Sequence, residues 1–103
     1  MVKISQIRKY ALALARQFNP ERVILFGSYA SQKQGPDSDV DLLVVMECPG
    51  DPSQKAIELR LAVPREFPFD LIVRTPVQVR QRLEAGDTFI ATILEKGRVL
   101  YAR

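Results

Sequence analysis

The chain has 103 residues, 47% of them hydrophobic and 26% charged, the balance of a globular domain with one core and not of a disordered or collagen-like chain. Fifteen basic and 12 acidic residues leave a net charge of +3, spread from Lys3 to Arg103 without the concentrated basic stripe of a nucleic-acid binder, so no direct nucleic-acid binding is expected. No apolar run approaches the roughly 20 residues of a membrane-spanning helix, and Lys3, Arg8 and Lys9 interrupt the start of the chain before any signal-peptide core can form.

The first segment sets Ile4, Ile7, Tyr10, Ala11, Leu14 and Phe18 at steps of three and four, which predicts an amphipathic helix stopped at Asn19-Pro20. Val23-Ile24-Leu25-Phe26 is wholly apolar, as in a strand buried on both faces. Gly27-Ser28 ends it abruptly and is expected to open a short helix at Tyr29-Ala30, before a polar loop from Ser31 to Ser38. Val40 to Met46 reads as the second strand, and Ser53 as the cap of a helix through Val63. Phe69 to Val73 is a third strand. Thr75-Pro76 begins a helix that runs to Gly86, Asp87 caps a last helix through Lys96 with Gly97 ending it, and Val99-Leu100-Tyr101 is an edge strand. The densest basic cluster, Arg74, Arg80 and Arg82, reads first as a solvated helix face and second as a contact for an acidic partner or a phosphate-bearing ligand. Alternating helices and strands without an internal repeat predict a single domain over 1–103 of the α/β or α+β class, with a small mixed sheet.

Histidine is absent, which removes Ser-His triads, histidine-bound zinc and imidazole proton shuttles. The one cysteine, Cys48, has no internal partner and suits a reducing cytoplasm. Chemistry is expected instead where acids stand in apolar strands. Asp39 and Asp41 sit at i and i+2, so both project from one face, and Asp70 lies between Phe69 and Leu71. Isolated carboxylates are costly to bury, and three converging on one sheet face repel one another unless a cation neutralises them. Oxygen donors without sulfur or imidazole point to magnesium or manganese. A calcium loop fails, because Leu42 stands where that motif needs glycine and Cys48 where it needs glutamate; a Walker-type phosphate loop is absent. Ahead of the acids, Gly27 lets a phosphate approach the backbone and Ser28 adds a hydroxyl.

Gly27-Ser28-Tyr29-Ala30 followed by Asp37-Ser38-Asp39-Val40-Asp41-Leu42-Leu43-Val44, with Asp70 on a later strand, resembles the nucleotidyltransferase superfamily of DNA polymerase β. Within it the likeness is to the minimal nucleotidyltransferase (MNT) proteins, often the antitoxin halves of HEPN/MNT toxin–antitoxin pairs. The match runs from Arg22 to Val73, about half the chain. The resemblance implies an α+β nucleotidyltransferase fold, a small mixed sheet with helices packed against it. It also implies magnesium- or manganese-dependent transfer of a nucleoside monophosphate, AMP from ATP or another nucleoside triphosphate, to a hydroxyl. Asp39 and Asp41 would hold metal, Asp70 would share it and help deprotonate the acceptor, and Gly27 and Ser28 would hold the triphosphate. The acceptor would belong to a HEPN-domain partner, docked through the first helix or the apolar residues from Thr88-Phe89-Ile90 onward; an oligomer is allowed.

One departure bears on catalysis. Ser31-Gln32 stand where the family usually has a basic residue and then glycine, and Lys33 is the nearest replacement cation. Two readings follow: an active adenylyltransferase, or a catalytically weak nucleotidyltransferase-fold module that neutralises its partner by binding. A transferase for small hydroxylated molecules is disfavoured by the absence of a substrate domain.

Overall fold

The computed structural model describes residues 2–64 and 66–103. Its elements run α1 (Ile4–Phe18), β1 (Arg22–Phe26), α2 (Ser28–Ser31), β2 (Val40–Val45), α3 (Pro52–Ala62), β3 (Phe69–Arg74), α4 (Pro76–Glu84), α5 (Thr88–Lys96) and β4 (Arg98–Ala102). The four strands form one mixed sheet in the order β3-β2-β1-β4. β1 is antiparallel to both β2 and β4, while β2 and β3 are parallel and joined through α3. This is an α+β architecture with a small mixed sheet, as expected from the sequence.

Helices cover both faces of the sheet, and the strand sequences divide accordingly. Val23 and Leu25 of β1, Val40, Leu42 and Val44 of β2, and Leu71 and Val73 of β3 join one core with Ile7, Tyr10 and Leu14 of α1 and Leu59 of α3. The alternate residues Ile24, Leu43 and Val45 form a second core with Val79 of α4 and Ile90 and Ile93 of α5. β1 and β2 are interior strands with apolar side chains on both sides, which is why they read as unbroken apolar runs. Tyr10 meets Phe67 and Phe69 edge-to-face, with ring centroids 5.7 and 5.1 Å apart, and seats α1 against the entry to β3.

The helix starts follow local chemistry. The Thr75 hydroxyl accepts from Gln78 N–H at 3.1 Å while the Gln78 side chain accepts from Thr75 N–H, a reciprocal cap. Asp87 Oδ1 accepts from Phe89 and Ile90 N–H. At α3 the cap is Asp51, whose side chain accepts from Ser53 N–H at 3.0 Å, and not Ser53 as the sequence suggests. Pro52 is the reason: it fits the first helical position, where its missing N–H costs nothing, and so moves the cap one residue upstream of it. Of the arginine cluster, Arg80 and Arg82 are exposed, as a solvated face requires, and Arg82 pairs with Asp87 at 3.2 Å. Arg74 is half-buried and donates to the Val73 carbonyl. No helix among the described residues is long and apolar enough to cross a membrane.

Candidate active site

Strand direction brings the sequence-predicted acids to one end of the sheet. β1 arrives there with Phe26, whereas β2 and β3 begin there with Val40 and Phe69. In the ladders Asp41 is the direct partner of Phe26 on one side and of Asp70 on the other. Asp41 and Asp70 alternate with the residues of the α1/α3 core, so both point to the opposite face, the one that carries α4 and α5. Asp39 precedes β2 by one residue and is exposed, as is Asp70; Asp41 is half-buried.

The electrostatics record this convergence. Burial, reinforced by the like charges of Asp70 and then Asp39, pushes the Asp41 carboxyl above its ordinary value of 3.8. Neither ion pair formed among the described residues, Lys55–Glu58 or Arg82–Asp87, involves these acids. Asp70 Oδ1 accepts from Leu71 N–H at 3.1 Å, a contact that holds its carboxylate at the strand edge. The donors are all carboxylate oxygens, the chemistry of a hard divalent cation. Among the described residues no three acidic side chains are gathered into a ready-made metal cage. Magnesium does not require one, since it is usually held by one or two carboxylates together with substrate phosphates. An open Asp39–Asp41 pair at the end of an interior strand fits that mode.

Gly27 is required by its position. Its φ is +76°, and a Cβ built there would collide with Asp41 Oδ2 and lie 3.3 Å from Asp41 Cγ. The missing side chain is therefore what lets the half-buried Asp41 carboxylate sit against the β1–α2 turn. Next to it, Ser28 opens α2, whose intrahelical bonds begin with Ala30 N–H donating to the Gly27 carbonyl at 3.1 Å. The first amides of such a turn have no partner within it. Tyr29 anchors the turn from below: its side chain is 1% exposed and its hydroxyl accepts from Val2 N–H at 3.3 Å. The Ser31 hydroxyl is turned back onto α2, donating toward the Ser28 carbonyl at 3.2 Å. Lys33 follows α2 on an exposed loop.

One part of the site has no counterpart in the sequence reading. Beside Gly27, between α2 and α5, lies a groove of about 330 Å³ lined by Phe26, Gly27, Ser31, Phe89 and Lys96 among others. Phe89 is 54% exposed and meets Phe26 edge-to-face at 5.7 Å. Only pairing of β4 with β1 brings α5 here, and nothing in the local pattern around Lys96 signals more than the end of a helix.

Comparison with known proteins agrees with this geometry. The chain superposes on a protein from Sulfolobus solfataricus provisionally described as a nucleotidyltransferase, with a TM-score of 0.66 at 18% identity over 96% of this chain and 79% of that one. It also superposes on a toxin-antitoxin structure with AMP-PNP (TM-score 0.58, 22% identity, 93% of this chain and 73% of that one) and on a mutant of the toxin-antitoxin MntA-HpeT (TM-score 0.55, 20% identity, 93% and 73%). At these identities the likeness is one of fold. No curated protein sequence matches the chain. The family model described as polymerase beta, nucleotidyltransferase matches residues 7–103. Taken with Asp41 and Asp70 paired on one sheet face beside a glycine that must lack a side chain, that match places the chain in the polymerase β nucleotidyltransferase family.

Proposed function

We propose that this chain is a magnesium-dependent nucleotidyltransferase of the minimal type, which transfers AMP from ATP to a hydroxyl on a HEPN-domain partner as the antitoxin of a toxin–antitoxin pair. The observation that carries the reading is the register pairing of Asp41 with Asp70, with Asp39 adding its charge and Gly27 pressed against the Asp41 carboxylate. Toxin-antitoxin neighbours, one with AMP-PNP, support the partner and the adenine nucleotide.

Asp39 and Asp41 would hold the divalent ion or ions, with Asp70 sharing one of them; when bound, the metal offsets charge developing on the attacking and leaving oxygens. Gly27 and Ser28 receive the triphosphate, the glycine by leaving the backbone open and the serine through its hydroxyl. Asp70, at the outer edge of the set, orients the acceptor hydroxyl and takes its proton. The hydroxyl oxygen forms a bond to the α-phosphorus. The bond from that phosphorus to the α,β-bridging oxygen breaks, and pyrophosphate leaves with the electron pair. The protein supplies position and charge more than covalent chemistry.

A second reading, a binding module with weakened chemistry, is favoured by one observation: Ser31 occupies the position of the usual cation and spends its hydroxyl on its own helix. One experiment separates them. The chain is incubated with magnesium, α-labelled ATP and its HEPN partner, and Asp41→Asn is run in parallel. Label on the partner with wild type and none with Asp41→Asn supports the enzyme. If neither protein transfers label yet both neutralise the partner equally, the binding module stands and the enzyme is rejected.

A further inference from the structure

All four strands contribute to the same end of the sheet. In the order β3-β2-β1-β4 that end presents Asp70, then Asp41, then Phe26 with Gly27. Last comes the start of β4, where Arg98 pairs with Leu25. Lys96 and Gly97 immediately precede Arg98. Gly97 fixes their place: a Cβ there would strike the Ile93 carbonyl, come within 2.7 Å of Ile24 Cγ2 and within 3.0 Å of the Leu25 carbonyl. The last turn of α5 is thus packed directly on β1, and Lys96 lines the groove that begins at Gly27. Neither ion pair among the described residues uses Lys96. Lys33 is not among the residues lining that groove.

The reaction itself supplies a direction. Transfer to a hydroxyl proceeds in line, with the attacking and leaving oxygens on opposite sides of the α-phosphorus. With the acceptor at Asp70 on β3 and the α-phosphate at Asp39 and Asp41, pyrophosphate departs toward β1 and β4. That path crosses Gly27 and enters the groove of about 330 Å³ where Lys96 stands. The rings of Phe26 and Phe89 form an apolar wall there, and an ion pair beside such a wall is screened less than one in open water.

We propose that the groove between α2 and α5 is the subsite for the β- and γ-phosphates, with Lys96 as its cation, so that α5 supplies from a distant part of the chain the positive charge missing at Ser31-Gln32. The inference rests on the nucleotidyltransferase reading above and adds the polyphosphate contact. An ammonium at this place binds the triphosphate and stabilises departing pyrophosphate, while contributing nothing to a nucleotide that ends at its α-phosphate.

Equilibrium dialysis of the full chain with magnesium and labelled ATP or AMP tests it. Lys96→Gln is expected to raise the Kd for ATP about tenfold, the worth of one charge-assisted contact, with the Kd for AMP unchanged. Lys96→Arg keeps ATP affinity near wild type, because it retains the positive charge. Lys96 is exposed, so its replacement should leave the fold intact, which a circular-dichroism melt of each variant checks. Wild-type ATP affinity in Lys96→Gln, with Asp41→Asn still impaired, overturns this subsite and leaves the nucleotidyltransferase reading standing. Equal losses of ATP and AMP also overturn it, since the contact would not be with the terminal phosphates. If wild type binds no ATP with magnesium, the parent reading falls and this inference with it.

Discussion

Asp41 is held in a position that costs stability. Its carboxyl titrates above the ordinary value because burial and the charges of Asp70 and Asp39 oppose ionisation. A group whose pKa is raised by folding binds protons more tightly in the native state, so stability falls as pH rises from the unfolded value through the folded one. At neutral pH the ionised Asp41 is therefore a liability without a cation. Asp41→Asn should raise the melting temperature in magnesium-free buffer at pH 7, flatten its decline above pH 4, and abolish label transfer. A lower melting temperature would show that the carboxylate is stabilised by its surroundings and would contradict the repulsion. Gly27 is the complementary residue. Gly27→Ala forces a Cβ against Asp41 Oδ2 at a backbone φ of +76°, and should cost roughly 2 kcal/mol or more in chemical denaturation. Pairing it with Asp41→Ala removes the atom it strikes, so the double variant should recover part of that loss.

At the scale of elements, the strands and the inward faces of the helices share both cores. β2 lies between β3 and β1 with only Asp41 breaking its buried run, so the acid is placed by an interior strand paired on both sides. α5 packs Ile90 and Ile93 into the second core. It depends on its cap, Asp87, which accepts from Ile90 and Phe89 N–H and pairs with Arg82. The Ile90 N–H bond, with Arg82 and Phe89 adding to it, holds the Asp87 carboxyl below its ordinary value of 3.8. Here the linkage has the opposite sign to that of Asp41: the stabilisation is present above the unfolded pKa and is lost as pH falls through the lower folded one. Acid titration followed by circular dichroism should show Asp87→Asn with a shallower loss of stability below about pH 4 than wild type. Because α5 carries Phe89 and Lys96, weakening this cap should also loosen the groove beside Gly27.

At the scale of the whole molecule, the proposed nucleotide site would draw on four strands and two helices and so should couple ligand binding to folding. Magnesium with ATP bound to the native state alone stabilises it by about 2.7 kcal/mol at one hundred times Kd. Differential scanning fluorimetry should then show an upward shift on the order of 10–20 °C, at about 4–8 °C per kcal/mol for a domain of this size. Magnesium alone should give a smaller shift, because two carboxylates without phosphates complete little of its coordination. No shift at saturating MgATP would argue against a nucleotide site at this sheet end.

The sequence by itself determined a great deal here, and for local reasons. Apolar runs at Val23–Phe26 and Val40–Met46 mark strands covered on both sides, acids inside such runs stand out because they are costly there, and the cap residues Thr75 and Asp87 announce the helices they begin. The cap of α3 is Asp51 and not Ser53, two residues earlier than capping chemistry alone suggests, because Pro52 takes the first helical position. Tertiary structure decided what no local pattern encodes. The ladder register put Asp70 opposite Asp41, and the closeness of Gly27 to Asp41 depends on β1 and β2 running antiparallel. The pairing of β4 with β1 carried Lys96 to the groove. Spacing along a chain fixes which side of an element a residue faces, whereas the identity of its neighbour across a sheet is set by how distant segments pair.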